Sequence, residues 1–194
     1  MIYQLIGLGL FLIGCAHLLK RTDAAEFKLV QTLQEYTNNK ILLAIFKEIW
    51  FLGRTTFAVI ILFLMISFNM KLGLVSAAIF LVIVGIEQLV KQAVNRKRPF
   101  EVHQSILMLQ PQRPTDASFP SGDTLRIWFL AMILPIAAGN SIYMLLAMIM
   151  IALLVSLGRI AMGVHYLTDI LTGAGLGIIG AGTTIWLWHL FNLL

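Results

Sequence analysis

Apolar positions in this chain fall in long unbroken runs rather than in alternation. Six of them, Ile2–Leu19, Thr56–Met70, Leu72–Val94, Thr124–Ala138, Ile142–Met162 and Leu167–Leu193, reach or approach the length that crosses a bilayer core, about 20 residues as a helix. The second and fourth are short and are expected to extend into their flanking turns. The segment "KRTDAAEFKLVQTLQEYTNNK" between the first two is different. There Phe27, Val30, Leu33 and Tyr36 recur at helical spacing on a polar background, the pattern of an amphipathic helix lying in the membrane interface. The pattern therefore predicts an all-α fold: a bundle of six transmembrane helices with one interfacial helix between the first two spans.

Composition agrees and narrows the class. The 194 residues are 59% hydrophobic and 12% charged, with mean hydropathy +0.90, which excludes an ordinary soluble domain. One integral membrane domain over residues 1–194 accounts for the length. A single cysteine, Cys15, excludes an internal disulfide and a cysteine metal cluster. "LIGC" at Leu12–Cys15 looks like a lipoprotein cleavage box, but the preceding "MIYQ" lacks the Lys or Arg of a signal peptide's start, so residues 1–19 are read as a retained helix.

Charge turns the helix count into a statement about function. With six crossings, the ends of the first, third and fifth helices emerge on one face. Of the 14 Lys and Arg, all but Lys71 fall on that face or in helix ends beside it. Three separated polar segments meet there. In "KQAVNRKRPF", Lys91 and Arg98 lie seven residues apart, and Pro99 should end the helix and turn Arg98 aside. Taken alone, these cations read as an anchor for acidic headgroups. In "FPSGD", Ser121 can cap a helix and Gly122 admits close backbone approach, which makes an anion site at a helix start. The plain alternative is an N-cap followed by an acid, Asp123, that complements the helix dipole. In "GRIAMGVHYLTD", Asp169 follows His165 by four and would share a helical face with it, fixing the imidazole tautomer. A satisfied interfacial His–Asp pair is the structural alternative.

Lys-x6-Arg-Pro, Pro-Ser-Gly-x and Arg-x5-His-x3-Asp, in that order over residues 91–169, resemble the type 2 phosphatidic acid phosphatase (PAP2) family of integral membrane lipid phosphatases. The resemblance implies that His165 is the nucleophile that forms a phosphohistidine, with Asp169 orienting it. It implies that Lys91, Arg98 and Arg159 clamp the phosphate, with donors from Ser121 and Gly122. It implies no metal and no other cofactor. The partners implied are a membrane lipid phosphate and the bilayer, with no nucleic acid.

Two positions depart from the family's pattern. Gly158 stands where Ser is usual. Asp123 stands where the family has His, the acid that protonates the leaving oxygen. Three readings of Asp123 follow: burial raises its pKa so that it still donates a proton, or the leaving group needs little protonation, or the site only binds. An alkoxide leaving group has a conjugate acid near 15.7, like water, whereas a lipid monophosphate leaving from a diphosphate has a second pKa of about 6. The second reading favours a polyprenyl diphosphate of the undecaprenyl type as substrate. Phosphatidylglycerol phosphate, phosphatidic acid and lipid A phosphates are the alternatives, with lipid phosphotransfer a second reaction class and lipid-phosphate binding without catalysis a third.

Several other residues complete the expectation. Arg126, one turn after Asp123, would neutralise it, and His103 could substitute as the acid, its plainer reading being a solvated loop residue. Glu87, one turn before Lys91, reads as its tether. His17 and His189 read as interfacial packing, and Trp50, Trp128, Trp186 and Trp188 as belt residues at helix ends. The Met-rich "MLLAMIMIALL" reads as helix packing. The positive-inside rule would put the charged face in the cytoplasm, whereas the family resemblance puts the active site on the extracytoplasmic face of the inner membrane, and the latter is the expectation here.

Overall fold

The computed structural model describes residues 2–15, 23–37 and 39–194. His17, Lys20, Arg21 and the end of the first expected span lie outside the described residues. The described chain is all helical: α1 (Ile2–Gly14), α2 (Asp23–Tyr36), α3 (Lys40–Ile49) with a 3-10 turn (Trp50–Gly53), α4 (Thr55–Phe68), α5 (Met70–Val94), α6 (Pro99–Val102), α7 (Gly122–Ala137), α8 (Ile142–Ala161) and α9 (Leu167–Leu190). Among them, Met70–Val102, α8 and α9 are long and apolar enough to cross a membrane. The segments Lys40–Gly53 and Thr55–Phe68, bent by 52° at their junction, make a fourth if they count as one span. The apolar α1 has 13 residues and α7 has 16, both below the length of a full crossing.

Helix boundaries follow local chemistry. Asn69 separates α4 from α5, its side chain accepting from Leu72 N at 3.2 Å. At the other end of α5 the helix stops earlier than Pro99 requires. Asn95 adopts a left-handed conformation (φ 46°) and closes the helix, as Asn and Gly do at C-termini. Pro99 instead opens α6, where its missing N–H costs nothing. The region after Lys40 is helical too, although its sequence had suggested no element.

Two helices form the centre. α7 and α9 bury most of their length, and α9 does so through glycines that bring backbones together. A Cβ on Gly177 would lie 2.4 Å from Leu125 O, and one on Gly175 2.6 Å from Gly7 O. Trp188 is fully buried and donates to Leu72 O at 3.2 Å, so it is a core residue and not the belt residue expected. Outward faces of α1, α4, α5 and α8 carry exposed Leu5, Phe63, Phe68, Leu81, Leu89 and Leu146. An apolar surface of that extent suits lipid and not water. On α2, Phe27, Val30 and Leu33 pack against Ile106, Ile160, Tyr166 and Ile170, while Tyr36 is exposed. Its apolar stripe thus covers the ends of α8 and α9.

Candidate active site

The polar segments singled out in the sequence converge at one end of the bundle. The end of α5, the start of α7 and the turn between α8 and α9 surround a cavity of about 290 Å3 lined by Lys91, Arg98, Gly122, Asp123, Arg126 and His165. Arg159 and Ser121 lie behind this lining.

His165 precedes α9 instead of sitting on its first turn. Asp169 is the third residue of α9, and its Oδ2 accepts from Tyr166 N at 2.9 Å in a capping arrangement. That capping carboxylate also faces His165 Nδ1 at 3.4 Å. The pair therefore forms through a helix cap, not through a shared helical face. Ser118 Oγ donates to the same Oδ2 and lies 3.4 Å from Nδ1. On the other side of the ring, Nε2 is 3.2 Å from Arg98 Nη1. A guanidinium can only donate, so Nε2 must accept and the ring proton of the neutral form sits on Nδ1. The lone pair of Nε2 then points to the cation clamp. Burial, reinforced by Arg98, lowers the imidazole pKa from 6.5 to about 4, against the pull of Asp169. His165 is neutral at pH 7.

The clamp is already occupied by an anion from the chain itself. Asp116 reaches in from the long loop before α7. Its Oδ1 accepts from Arg98 Nη2 at 2.7 Å, and its Oδ2 pairs with Lys91 Nζ. Burial pushes the Asp116 carboxyl up, but Lys91 and Arg98 together outweigh it and bring the pKa to about 2. The two carboxylate oxygens thus bridge the two cations. Lys91 also pairs with Glu87 Oε1 at 3.2 Å, as expected of a tether, and the other oxygen of Glu87 takes Arg126 Nη2 at 3.1 Å.

Asp123 is held between two guanidiniums, 3.2 Å from Arg159 Nη1 and 3.7 Å from Arg126 Nη1. Arg159 is fully buried and also donates to Gln110 Oε1 and Trp50 O. Ser121 Oγ is turned away from the cavity, 2.9 Å from Thr124 Oγ1 and accepting from Thr124 N, so it acts here as the N-cap of α7. A Cβ on Gly122 would lie 2.1 Å from Glu87 Oε1 and 2.4 Å from Arg126 Nη1, so a side chain there would have to displace the ends of that buried ion pair. Gly158 faces the ring of Phe46, not the cavity, so a serine there would not reach a phosphate directly. His103 stacks on Phe27 with ring centroids 4.2 Å apart and does not line the cavity. It cannot replace the acid in this arrangement.

Five site residues carry no motif signal in the sequence. Asp116, Ser118 and Gln110 lie in a loop whose positions carry no periodicity, and only the fold brings them over the motif residues. Arg54 and Arg113 also line the cavity; Arg54 lies over the Trp50 ring at 4.6 Å, and neither has a carboxylate partner among the described residues. A charge count of the loop would have flagged Arg113 and Asp116, but nothing local gives their direction.

The sequence profile of the PAP2 superfamily matches residues 58–193. The undecaprenyl-diphosphatase of Sulfolobus acidocaldarius is 31% identical over 107 residues, covering 55% of this chain, and the chain spans about half (50%) of that relative's length. The crystal structure of a transmembrane PAP2-type phosphatidylglycerolphosphate phosphatase from Bacillus subtilis superposes with TM-score 0.81 at 19% identity, covering 97% of both chains. That of Aquifex aeolicus LpxE gives 0.74 at 22% identity, covering 84% of this chain and 95% of the other.

Proposed function

The chain belongs to the PAP2 superfamily, and from that premise we propose that it is a membrane lipid phosphatase whose substrate is a lipid diphosphate of the polyprenyl type. The observation that carries the reading is the opposition of His165 Nε2 to a clamp of Lys91 and Arg98 whose present occupant is a carboxylate. Substrate phosphate displaces Asp116 and draws Arg98 onto its oxygens, which frees the Nε2 lone pair. Nε2 attacks phosphorus, the bond from phosphorus to the leaving oxygen breaks, and that oxygen keeps the electron pair. The Nδ1 proton stays with the ring, and Asp169 stabilises the positive charge that develops there. Water then attacks the phosphohistidine, releasing inorganic phosphate and returning His165 to its neutral form. Arg159, behind the lining, acts by holding Asp123 and the base of the site.

Two features favour a diphosphate. Asp123 is engaged by Arg159 and Arg126, an ion-pair role and not that of a proton donor, which fits a leaving group needing little protonation. The cavity lining carries five cations, Arg54, Lys91, Arg98, Arg113 and Arg126, against two carboxylates, Asp116 and Asp123. An excess of three positive charges matches a diphosphate better than a single phosphate of about −2. The name of the Sulfolobus relative points the same way. Phosphate release by the purified protein tests this, comparing a polyprenyl diphosphate with phosphatidic acid and phosphatidylglycerol phosphate. The expected result is a strong preference for the diphosphate, and gain of monophosphate hydrolysis in Asp123→His. Equal cleavage of monophosphates by the wild type overturns the substrate assignment.

We also assign six crossings, with α1 and α7 completing those of sufficient length, α2 at the interface, and the site on the extracytoplasmic face. Seven of the 14 Lys and Arg (Arg54, Lys91, Arg96, Arg98, Arg113, Arg126 and Arg159) line the site or pair within it. They are placed by chemistry, and so say little about orientation under the positive-inside rule.

A further inference from the structure

Asp169 has two oxygens, and only one of them faces His165. The other, Oδ1, accepts from Arg96 Nη1 at 2.7 Å. Arg96 continues inward: its Nη2 donates to Glu26 Oε2 at 2.7 Å, and its guanidinium lies over the Tyr166 ring at 4.0 Å. Glu26 comes from α2, 142 residues away in sequence from Thr168, whose backbone N and Oγ1 its second oxygen accepts at 2.8 and 2.6 Å. All of these groups are shielded. Glu26 is 4% exposed, Asp169 0%, and the Arg96 side chain 12%. Neither Arg96 nor Glu26 lines the cavity.

Burying a carboxylate on a surface helix and an arginine outside the phosphate clamp is costly unless each is fully paired. Their geometry gives the pairing a direction. One arm of the planar guanidinium, Nη1, holds Oδ1 while the other, Nη2, is fixed by Glu26, which restrains rotation of the Asp169 carboxylate so that Oδ2 stays on Nδ1 of His165. Glu26 offsets the positive charge of Arg96, which would otherwise draw on Asp169 and weaken its hold on a ring that becomes cationic during phosphoryl transfer.

We infer that Arg96 and Glu26 are positioning residues of the reaction, forming with Asp169 and His165 a buried chain, Glu26–Arg96–Asp169–His165, that couples helix α2 to the nucleophile. This rests on the reading of His165 as nucleophile given above. Neither residue belongs to the motifs of the family resemblance, and neither touches substrate.

The test uses the full chain in detergent, with Glu26→Gln, Arg96→Gln, Arg96→Lys and the Glu26→Gln/Arg96→Gln double variant, assayed on a polyprenyl diphosphate. Misaligning the nucleophile should lower kcat by about 10- to 100-fold, while KM, set by Lys91 and Arg98, changes little. Arg96→Lys keeps the charge but not the fork, and should recover only part of kcat. An NMR titration of the His165 ring, which is faced by Arg98, Ser118 and Asp169 with Lys91 close by, gives a readout independent of turnover. Its midpoint should fall in Glu26→Gln, rise in Arg96→Gln, and return towards wild type in the double variant. Folded variants with wild-type kcat and an unmoved titration overturn the inference, as does a rise in KM alone. If Arg96→Gln does not fold, wild-type kcat in a folded Arg96→Lys overturns it equally. Absence of any hydrolysis by the wild type would instead sink the enzyme reading, and the titration would still decide whether the chain is coupled.

Discussion

Asp116 and Asp123 occupy the two cation clusters of the site, and each is testable by a single substitution. Removing the charge of Asp116 takes away the internal competitor for Lys91 and Arg98, so Asp116→Asn should bind inorganic phosphate more tightly, by about fivefold or more; competitive inhibition by phosphate measures this. Unchanged inhibition would mean that the carboxylate is not in the way. The depressed pKa values make a second prediction. His165 titrates near 4 when folded and near 6.5 when unfolded, so between those values the unfolded chain binds the extra proton. Stability is full above about 6.5 and declines as pH falls towards 4. Asp116, at about 2 folded against 3.8, adds a further loss below that window. The melting temperature in detergent should therefore drop steadily between pH 6.5 and 4, and less steeply in His165→Ala. At this scale the motif residues were legible because their types and spacing identify them. Asp116, Arg96 and Glu26 were not, because a carboxylate in an irregular loop or on an amphipathic helix shows no sign of its partner until the chain is folded.

At the scale of elements, apolar runs located five of the six expected helices to within about three residues, since long spans tolerate few alternatives. The failures lie at joints. Asn95 ends α5 before the proline can, and the helix over Lys40–Ile49 shares its composition with its surroundings. The His165–Asp169 pair was expected on a helical face and arises from a helix cap, a difference of two residues in where α9 begins. The joints also carry the site's precision. Gly173 lies where α9 passes the Ser121 turn, and a Cβ there would approach Ser121 O to 2.3 Å. Gly173→Ala should push that turn away from α9, lowering both the melting temperature and kcat, whereas alanine at Gly85, which meets nothing within 4 Å, should leave both unchanged. Equal effects at the two positions would mean that the close approach of α9 to α7 does not hold the site.

For the molecule as a whole, composition and periodicity were sufficient for an all-helical membrane protein, and motif order for its family. The side of the membrane was not legible, because half of the cations that a charge count would use gather at the site. With Cys15→Ser as background, a cysteine introduced at Gln112, an exposed residue at the cavity mouth, should react with a membrane-impermeant thiol reagent added to intact cells. Labelling only after lysis would place the site in the cytoplasm. The central claim, covalent catalysis by His165 on a lipid diphosphate, is tested most directly by acid-free quenching of the enzyme with a polyprenyl diphosphate labelled in its terminal phosphate. Label should appear on His165 in the wild type and be chased off by water, with label absent and turnover reduced roughly a thousandfold or more in His165→Ala. Turnover by His165→Ala at a rate near wild type, or label on another residue, would contradict it.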